Sequence, residues 1–345
     1  MPATETTRTP EQRRLDQELI EEASEGNLAR LKELLAQGAN PRAVNALWPR
    51  DNALSAATLA DENAAECVAF LLPLSDANHA GPNGSALNCA ASQGDAESVR
   101  LLIPACDASI LDEDGHTALM CAILAGSVEC AKQLIPVSDL NARAHGGRAG
   151  RNALMVAASS GDKNTGAFIA LLAAEMTDEE LNAVDEEGAT ALMLAVLFGP
   201  DEGPEVDFAP LLGRADANLR NNEKRWTALN MAIGNGNLRE VQALAPFTKM
   251  TATAYVPPIE LAAKQERWEI AEFLAPISAR KDADWALDYA QGRMPLWLAH
   301  CEEEALRQVV QEASAAHEEK TEENGLPARG ARLSKNPAKR TPRAL

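Results

Sequence analysis

Apolar residues along this chain come in short bursts of helical period, separated by polar turns rich in Asp, Asn and Gly. Within Asp112 to Pro136, Leu119, Ala122 and Ile123 fall at i, i+3 and i+4, which predicts a helix of about two turns. Thr117 stands where a side-chain oxygen caps its first amides, after a polar Asp-Glu-Asp turn that ends at Gly115. Gly126 lets the backbone leave that helix. Val128, Ala131, Leu134 and Ile135 predict an antiparallel partner, which Pro136 stops.

This unit recurs. With the leucine after the cap as anchor, the copies fall at Leu19, Leu54, Leu87, Leu119, Leu154, Leu192 and Leu229, then Ile259 and a weaker Leu287. A period near 33 residues, about the spacing of these anchors, marks a stacked repeat whose helix pairs bury their apolar faces only against neighbours. Three residues past the anchors stand Ala57, Ala90, Ala122, Ala157, Ala195, Ala232, Ala262 and Ala290, small where helices must approach closely; Glu22 breaks the series. Gly26, Gly94, Gly126, Gly161, Gly199 and Gly236 stand seven past theirs.

These residues resemble the ankyrin-repeat family, whose pattern D-x-x-G-x-T-P-L-H-x-A-A-x-x-G is matched by Asp112 to Leu119 and again by Asp185 to Leu192, with Trp226-Thr227-Ala228-Leu229 repeating its core. Ala replaces the family's Pro, and Met120, Met155, Met193, Asn88 or Asn230 replaces its His. Asn52, Ser85 and Asn152 take the place of Thr, and all three residue types cap helices. The resemblance spans residues 11 to 316. It implies an all-α solenoid of eight to nine helix-turn-helix repeats joined by β-hairpin-like fingers, with capping repeats at both ends.

Along the chain, residues 1–10 read as a disordered leader and 11–41 as the N-terminal cap, with Leu15, Leu19, Leu28, Leu31, Leu34 and Leu35 on its inner face. Leu47 to Arg50 predicts an extended finger, where Trp48 either packs within the hairpin or stands out for a partner. A basic finger, Asn141 to Asn152, precedes an acidic connection, Glu175 to Gly188. The two are either solvated or orient a charged partner. The insertion Gly199 to Asp207 lacks the order of a calcium loop and reads as a solvated loop. Residues 259–316 read as a C-terminal cap sealed by Trp268, Trp285, Tyr289 and Trp297; an aromatic-lined pocket is the alternative. Residues 317–345 read as a disordered basic tail.

Composition narrows the function. The net charge is −19. It is divided, since Lys320 to Leu345 holds seven Lys or Arg against two Glu. So acidic a body disfavours duplex nucleic acid and anionic membrane, while the tail is suited to weak electrostatic contacts. No apolar N-terminal run or membrane-length stretch occurs. Cys67, Cys89, Cys106, Cys121, Cys130 and Cys301 show no C-x-x-C spacing, and four of them follow the repeat, which predicts small buried thiols and a reducing cytoplasm. His79, His116, His145, His300 and His317 are dispersed and form no ligand pair.

No phosphate loop, dinucleotide fingerprint, nucleophile elbow or zinc-protease motif occurs, and the carboxylates fall on predicted turns and outer faces. The expectation is a monomeric, non-enzymatic adaptor without metal or cofactor that binds one or more proteins. The alternative is an inhibitor or regulator that masks an enzyme or basic nucleic-acid-binding protein with its acidic surface.

In the resembled family, partners lie across the hairpin tips and the inner faces of the first helices. Carried onto this chain, that implies Trp48, Pro49 and Asp51; Glu113, Asp114 and His116; Arg148, Ala149 and Arg151; Glu186, Glu187 and Ala189; and Glu223, Lys224 and Trp226. At the helix ends it implies Ser92, Gln93, Leu124, Ala125, Ser159, Ser160, Leu197 and Phe198. Of these, Trp48, Arg151, Phe198 and Trp226 have the chemistry of interface anchors. Leu197 and Phe198 either stand on that surface or pack beneath the insertion.

Overall fold

Polar turns deliver the chain into short helices, most of which are followed by a second helix. The computed structural model describes residues 8–45, 51–146, 150–199, 208–250, 256–278, 282–284 and 286. Two compact units divide between Pro258 and Ile259.

In the first unit the helix pairs are α1 (Pro10–Ser24) with α2 (Leu28–Ala36), α3 (Ala53–Ala57) with α4 (Ala64–Leu71), and α5 (Ala86–Gln93) with α6 (Ala96–Leu102). Then come α7 (Ala118–Leu124) with α8 (Val128–Leu134), and α9 (Ala153–Ala158) with α10 (Thr165–Glu175). A single-turn α11 (Asp178–Leu181) lies within the acidic connection. It is held by a capping box in which Thr177 N–H donates to Glu180 Oε2 at 2.7 Å. Next come α12 (Ala191–Phe198) and, last in this unit, α13 (Ala228–Asn235) with α14 (Leu238–Leu244). The first helices pack in a continuous row, α1 on α3, α3 on α5, α5 on α7, α7 on α9, α9 on α12 and α12 on α13.

The caps explain why such short helices form. Asn52, Thr117, Asn152, Thr190 and Thr227 each accept from the backbone N–H three residues on. Second helices are capped the same way by Asn27, Ser127 and Asn237, and α6 by Asp95; each of these follows a left-handed glycine. The sequence reading missed these Gly-Asn, Gly-Ser and Gly-Asp pairs, which mark the turn as clearly as the anchors mark the helix.

Between the rows lies the core. The anchors Leu19 to Leu229 and the alanines Ala57 to Ala232 are sealed from solvent. From the second helices come Val68 and Leu71, Val99 and Leu102, Ile169 and Leu172, and Val241 and Leu244. Each buried leucine contributes about 1.5–3 kcal/mol relative to exposure. In the cap, Leu15, Leu28 and Leu35 are half-buried, while Leu19, Leu31 and Leu34 are sealed.

Four details depart from the expectation. Among the described residues no β-strand forms in the fingers, only isolated antiparallel bridges at Val44 with Asn52, Gly81 with Gly84 and Val184 with Thr190. After α12, the described chain supplies a 3-10 turn, Ala209–Leu211, in place of a second α-helix, with Phe208 and Leu211 filling the core. The rest of the insertion lies outside the described residues. Asn88, in place of the family's His, bridges to the next repeat: its Nδ2 donates to Ile110 O at 3.1 Å and His116 O at 3.2 Å. Finally, Thr9 and Pro10, placed in the leader, cap and open α1.

The second unit contains α15 (Pro258–Lys264) and α16 (Trp268–Leu274), ending in a 3-10 turn, Ala275–Ile277. Its buried side chains include Ile259, Ala262, Ile270 and Leu274. Glu266 adopts the left-handed conformation that glycine supplies in the other turns. Trp285, Tyr289, Trp297, residues 1–7 and the basic tail lie outside the described residues.

Candidate protein-binding face

The fingers are stitched to one another through their backbones. Glu113 N–H donates to Pro82 O at 2.8 Å, His145 N–H to Asp114 O at 3.1 Å, and Asn222 N–H to Glu187 O at 2.9 Å. Such close contact requires glycine. A Cβ on Gly115, at φ +76°, would lie 2.5 Å from His145 N, and one on Gly188, at φ +74°, would lie 2.6 Å from the Asn222 side chain.

Three of the fingers turn on an Asp or Asn, at Asp112, Asp185 and Asn221. Asp112 Oδ1 accepts the backbone N–H of Asp114 at 3.0 Å and of His116 at 2.7 Å, and Asp185 Oδ1 accepts those of Glu187 at 3.0 Å and Ala189 at 2.8 Å. Burial pushes the Asp112 carboxyl up, but hydrogen bonds from the His116 side chain and backbone and from Cys121 outweigh it and hold it below the usual range. Further out, Asn78, Asn182 and Asn218 each accept a backbone N–H from the following repeat, at Asp107, Asp216 and Lys249, all at 2.7 Å. These bridges were not anticipated.

Several expected contact residues are exposed. Leu197 and Phe198 are exposed to 43% and 47%, and Leu124 to 40% at the matching end of α7; most of the insertion, the alternative cover for Leu197 and Phe198, lies outside the described residues. Glu113, Asp114, Glu186, Glu187, Glu223 and Lys224 are exposed on the finger tips, and Ser92, Gln93 and Ala125 at helix ends. Arg151 reaches from the base of its finger to place its guanidinium 5.9 Å from the centre of the Phe198 ring. Lys224 Nζ stands 4.8 Å from the Trp226 ring. Trp226 lies close against Gly234 of α13, where an added Cβ would come within 3.1 Å of the indole. The Arg151–Phe198 contact thus joins one finger to the end of α12, and Trp226 joins another to α13.

Other assignments are corrected. Asp51, 4% exposed, is buried rather than offered at a tip, because His79 and Asn83 of the next repeat approach it; burial pushes its carboxyl up against their opposing influence. His116, 8% exposed, turns inward with Nδ1 3.4 Å from Asp112 Oδ2. Ala189 and Ser159 are buried as well. Arg151 is half-buried, its Nε donating to Asp185 Oδ2 at 3.2 Å, so much of its charge is used within the chain. Arg143 likewise donates to Gly150 O at 2.6 Å and Val184 O at 3.0 Å, making the basic finger partly structural. Trp48, Pro49, Arg148 and Ala149 lie outside the described residues.

Among the described residues no group of three or more His, Cys, Asp or Glu is placed to hold a metal ion, and no helix is long and apolar enough to cross a membrane. Cys67, Cys89, Cys121 and Cys130 are buried free thiols, and Cys106 is a half-buried one.

Residues 54–144 match the family model for ankyrin repeats, in three copies. No curated protein matches the chain. Among solved structures 413 chains match. One belongs to the Bdellovibrio bacteriovorus complex of the predatory endopeptidase Bd0816 with immunity protein Bd3460. It is 22% identical, with a TM-score of 0.44, over 67% of this chain and 97% of that chain. The chain therefore contains ankyrin repeats, three tandem copies over residues 54–144, flanked by helix pairs of similar build.

Proposed function

We propose that the protein is a non-catalytic adaptor that binds a protein partner across the face formed by the finger tips and the ends of the first helices. The observation that carries this reading is the exposure of Leu124, Leu197 and Phe198 at the ends of first helices, with Arg151 against the Phe198 ring. Large apolar side chains held outside a well-filled core have the character of interface anchors. The free thiols are in keeping with a cytoplasmic location.

The test is a cross-linked pull-down from the native cell with the full-length protein and with its Leu197→Ser/Phe198→Ser variant, each washed at low and high salt. A protein retained at high salt by the first and lost by the second supports the adaptor. Capture that ignores the substitutions sinks this reading. The exposed carboxylates Glu113, Asp114, Glu186 and Glu187 favour a second reading, a regulator that masks a basic partner. It requires capture at low salt and loss at high salt.

A further inference from the structure

The chemistry of this face repeats every two helix pairs, not every one. The α7 repeat combines the exposed Leu124 with a finger tip carrying Glu113 and Asp114. The α12 repeat combines Leu197 and Phe198 with a tip carrying Glu186 and Glu187. Between them, α9 ends in Ser159 and Ser160, whose hydroxyls turn back on Val156 O at 3.2 Å and Ala157 O at 2.8 Å, and its finger carries the cation Arg151. After α12, α13 presents Gly234 beneath Trp226, and its finger carries Glu223 together with the cations Lys224 and Arg225. The face therefore holds two equivalent loci, each an apolar floor beside an acidic tip, with a small-residue repeat between.

From this alternation we infer that the partner segment is an α-helix carrying two apolar anchors about three turns apart, each with a Lys or Arg beside it on the finger side. The inference rests on the binding face proposed above and specifies what occupies it.

Spacing supplies the first argument. The α7 helix packs on α9 and α9 on α12, so at about 8–10 Å per helix the two loci are roughly 16–20 Å apart. Three turns of α-helix, about eleven residues, advance about 16.5 Å and return to the same face. Charge supplies the second. Among the described residues Glu113, Asp114, Glu186 and Glu187 form no ion pair, and Arg151, whose guanidinium lies 5.9 Å from the Phe198 ring, is already engaged by Asp185. The tips thus favour cations opposite them. Geometry supplies the third. A helix sets an apolar residue and a basic one at i+3 or i+4 side by side on one face, so a single segment can offer both to a floor and its tip, whereas neighbouring side chains of an extended segment point in opposite directions.

The test uses the full-length protein and three synthetic helical peptides, read by fluorescence anisotropy at physiological ionic strength. The first carries Leu-Phe anchors eleven residues apart with Lys four residues after each anchor. The second replaces those Lys with Glu, and the third brings the anchors to seven residues apart. The first is expected to bind at least about tenfold more tightly than either other peptide, with Leu124→Ser and Leu197→Ser/Phe198→Ser each weakening it about tenfold. Glu113→Gln/Asp114→Asn, on exposed side chains that leave the core untouched, is expected to weaken the first peptide and not the second. Failure of the first peptide to bind, equal binding of the first and second, or indifference to Leu124→Ser would overturn the inference. A native partner that is lost with Leu197→Ser/Phe198→Ser but indifferent to Leu124→Ser leaves the binding face standing and refutes the two-locus helix. Capture indifferent to both sets removes the face itself.

Discussion

Arg151 Nε donates to Asp185 Oδ2 at 3.2 Å and so joins the base of one finger to the turn of the next. Asp185 is almost wholly enclosed, and its other oxygen is occupied by two backbone N–H groups, so the guanidinium supplies the only side-chain charge among its described partners. Replacing Arg151 with Met keeps the stem and leaves the carboxylate buried without its cation. A hydrogen bond to a charged group contributes about 1.5–3 kcal/mol, and Arg151→Met is expected to lower the free energy of unfolding in urea by that amount. Lysine cannot reproduce the planar geometry, so Arg151→Lys is expected to recover only part of it. A change under about 0.5 kcal/mol, the scatter of ordinary surface substitutions, would show that the pair adds nothing.

Gly188 combines two constraints, its left-handed φ of +74° and the 2.6 Å approach to Asn222. Gly38 has the first alone, at φ +93° with nothing within 4 Å of a built Cβ. Gly38→Ala is therefore expected to cost about 1 kcal/mol of backbone strain, and Gly188→Ala more, up to about 3 kcal/mol. In hydrogen exchange the Asn222 amide, which donates to Glu187 O, should lose protection in Gly188→Ala alone. Equal effects at the two sites would mean that the fingers yield freely to one another.

The repeat, its anchors and its first-helix caps were legible because each copy imposes the same demand at the same offset: an apolar knob, a small neighbour and a side-chain oxygen. The surface was less legible. Asp51, His116, Arg151 and Trp226 occupy the same register position, three before an anchor, yet Asp51 and His116 are buried while Arg151 and Trp226 reach the face. The difference lies in the next finger and in side-chain length. His79 and Asn83 approach Asp51, and the imidazole of His116 is drawn to Asp112, whereas a guanidinium or indole is long enough to emerge. Leu197 and Phe198 were ambiguous because α12, Ala-Leu-Met-Leu-Ala-Val-Leu-Phe, is apolar at every position and offers no polar stripe from which to read its phase.

Asp51 ties stability to pH with a definite sign. Burial raises its folded carboxyl above the unfolded value of about 3.9. Below that value the group is protonated in both states and its ionisation affects neither. As pH rises toward the folded value, the unfolded chain ionises more readily, and stability is lost at about 1.4 kcal/mol for each unit by which the two values differ. Asp51→Asn cannot titrate, so its stability relative to the parent should increase across this window and level off above it. A difference independent of pH between the unfolded value and neutrality would show that Asp51 ionises equally easily in both states.

The cysteines offer a chemical measure of how closed the stack is. Burial, reinforced by the negative charge of Asp51, pushes the Cys89 thiol up to about 12, and burial pushes the half-exposed Cys106 up to about 11. Cys121 is also pushed up, by burial first and then by Asp112. Alkylation requires the thiolate, and at pH 8 a thiol titrating near 12 is ionised to about one part in ten thousand, against roughly a quarter for a free cysteine. Iodoacetamide at pH 8 is therefore expected to leave Cys89 and Cys121 unmodified in the native protein, to label Cys106 slowly, and to label all three at free-thiol rates in denaturing urea. The ratio of native to denatured rates then reports opening of the finger bases. Rapid native labelling of Cys121 would mean that the contact between its Sγ and Asp112 Oδ2, at 3.6 Å, opens frequently.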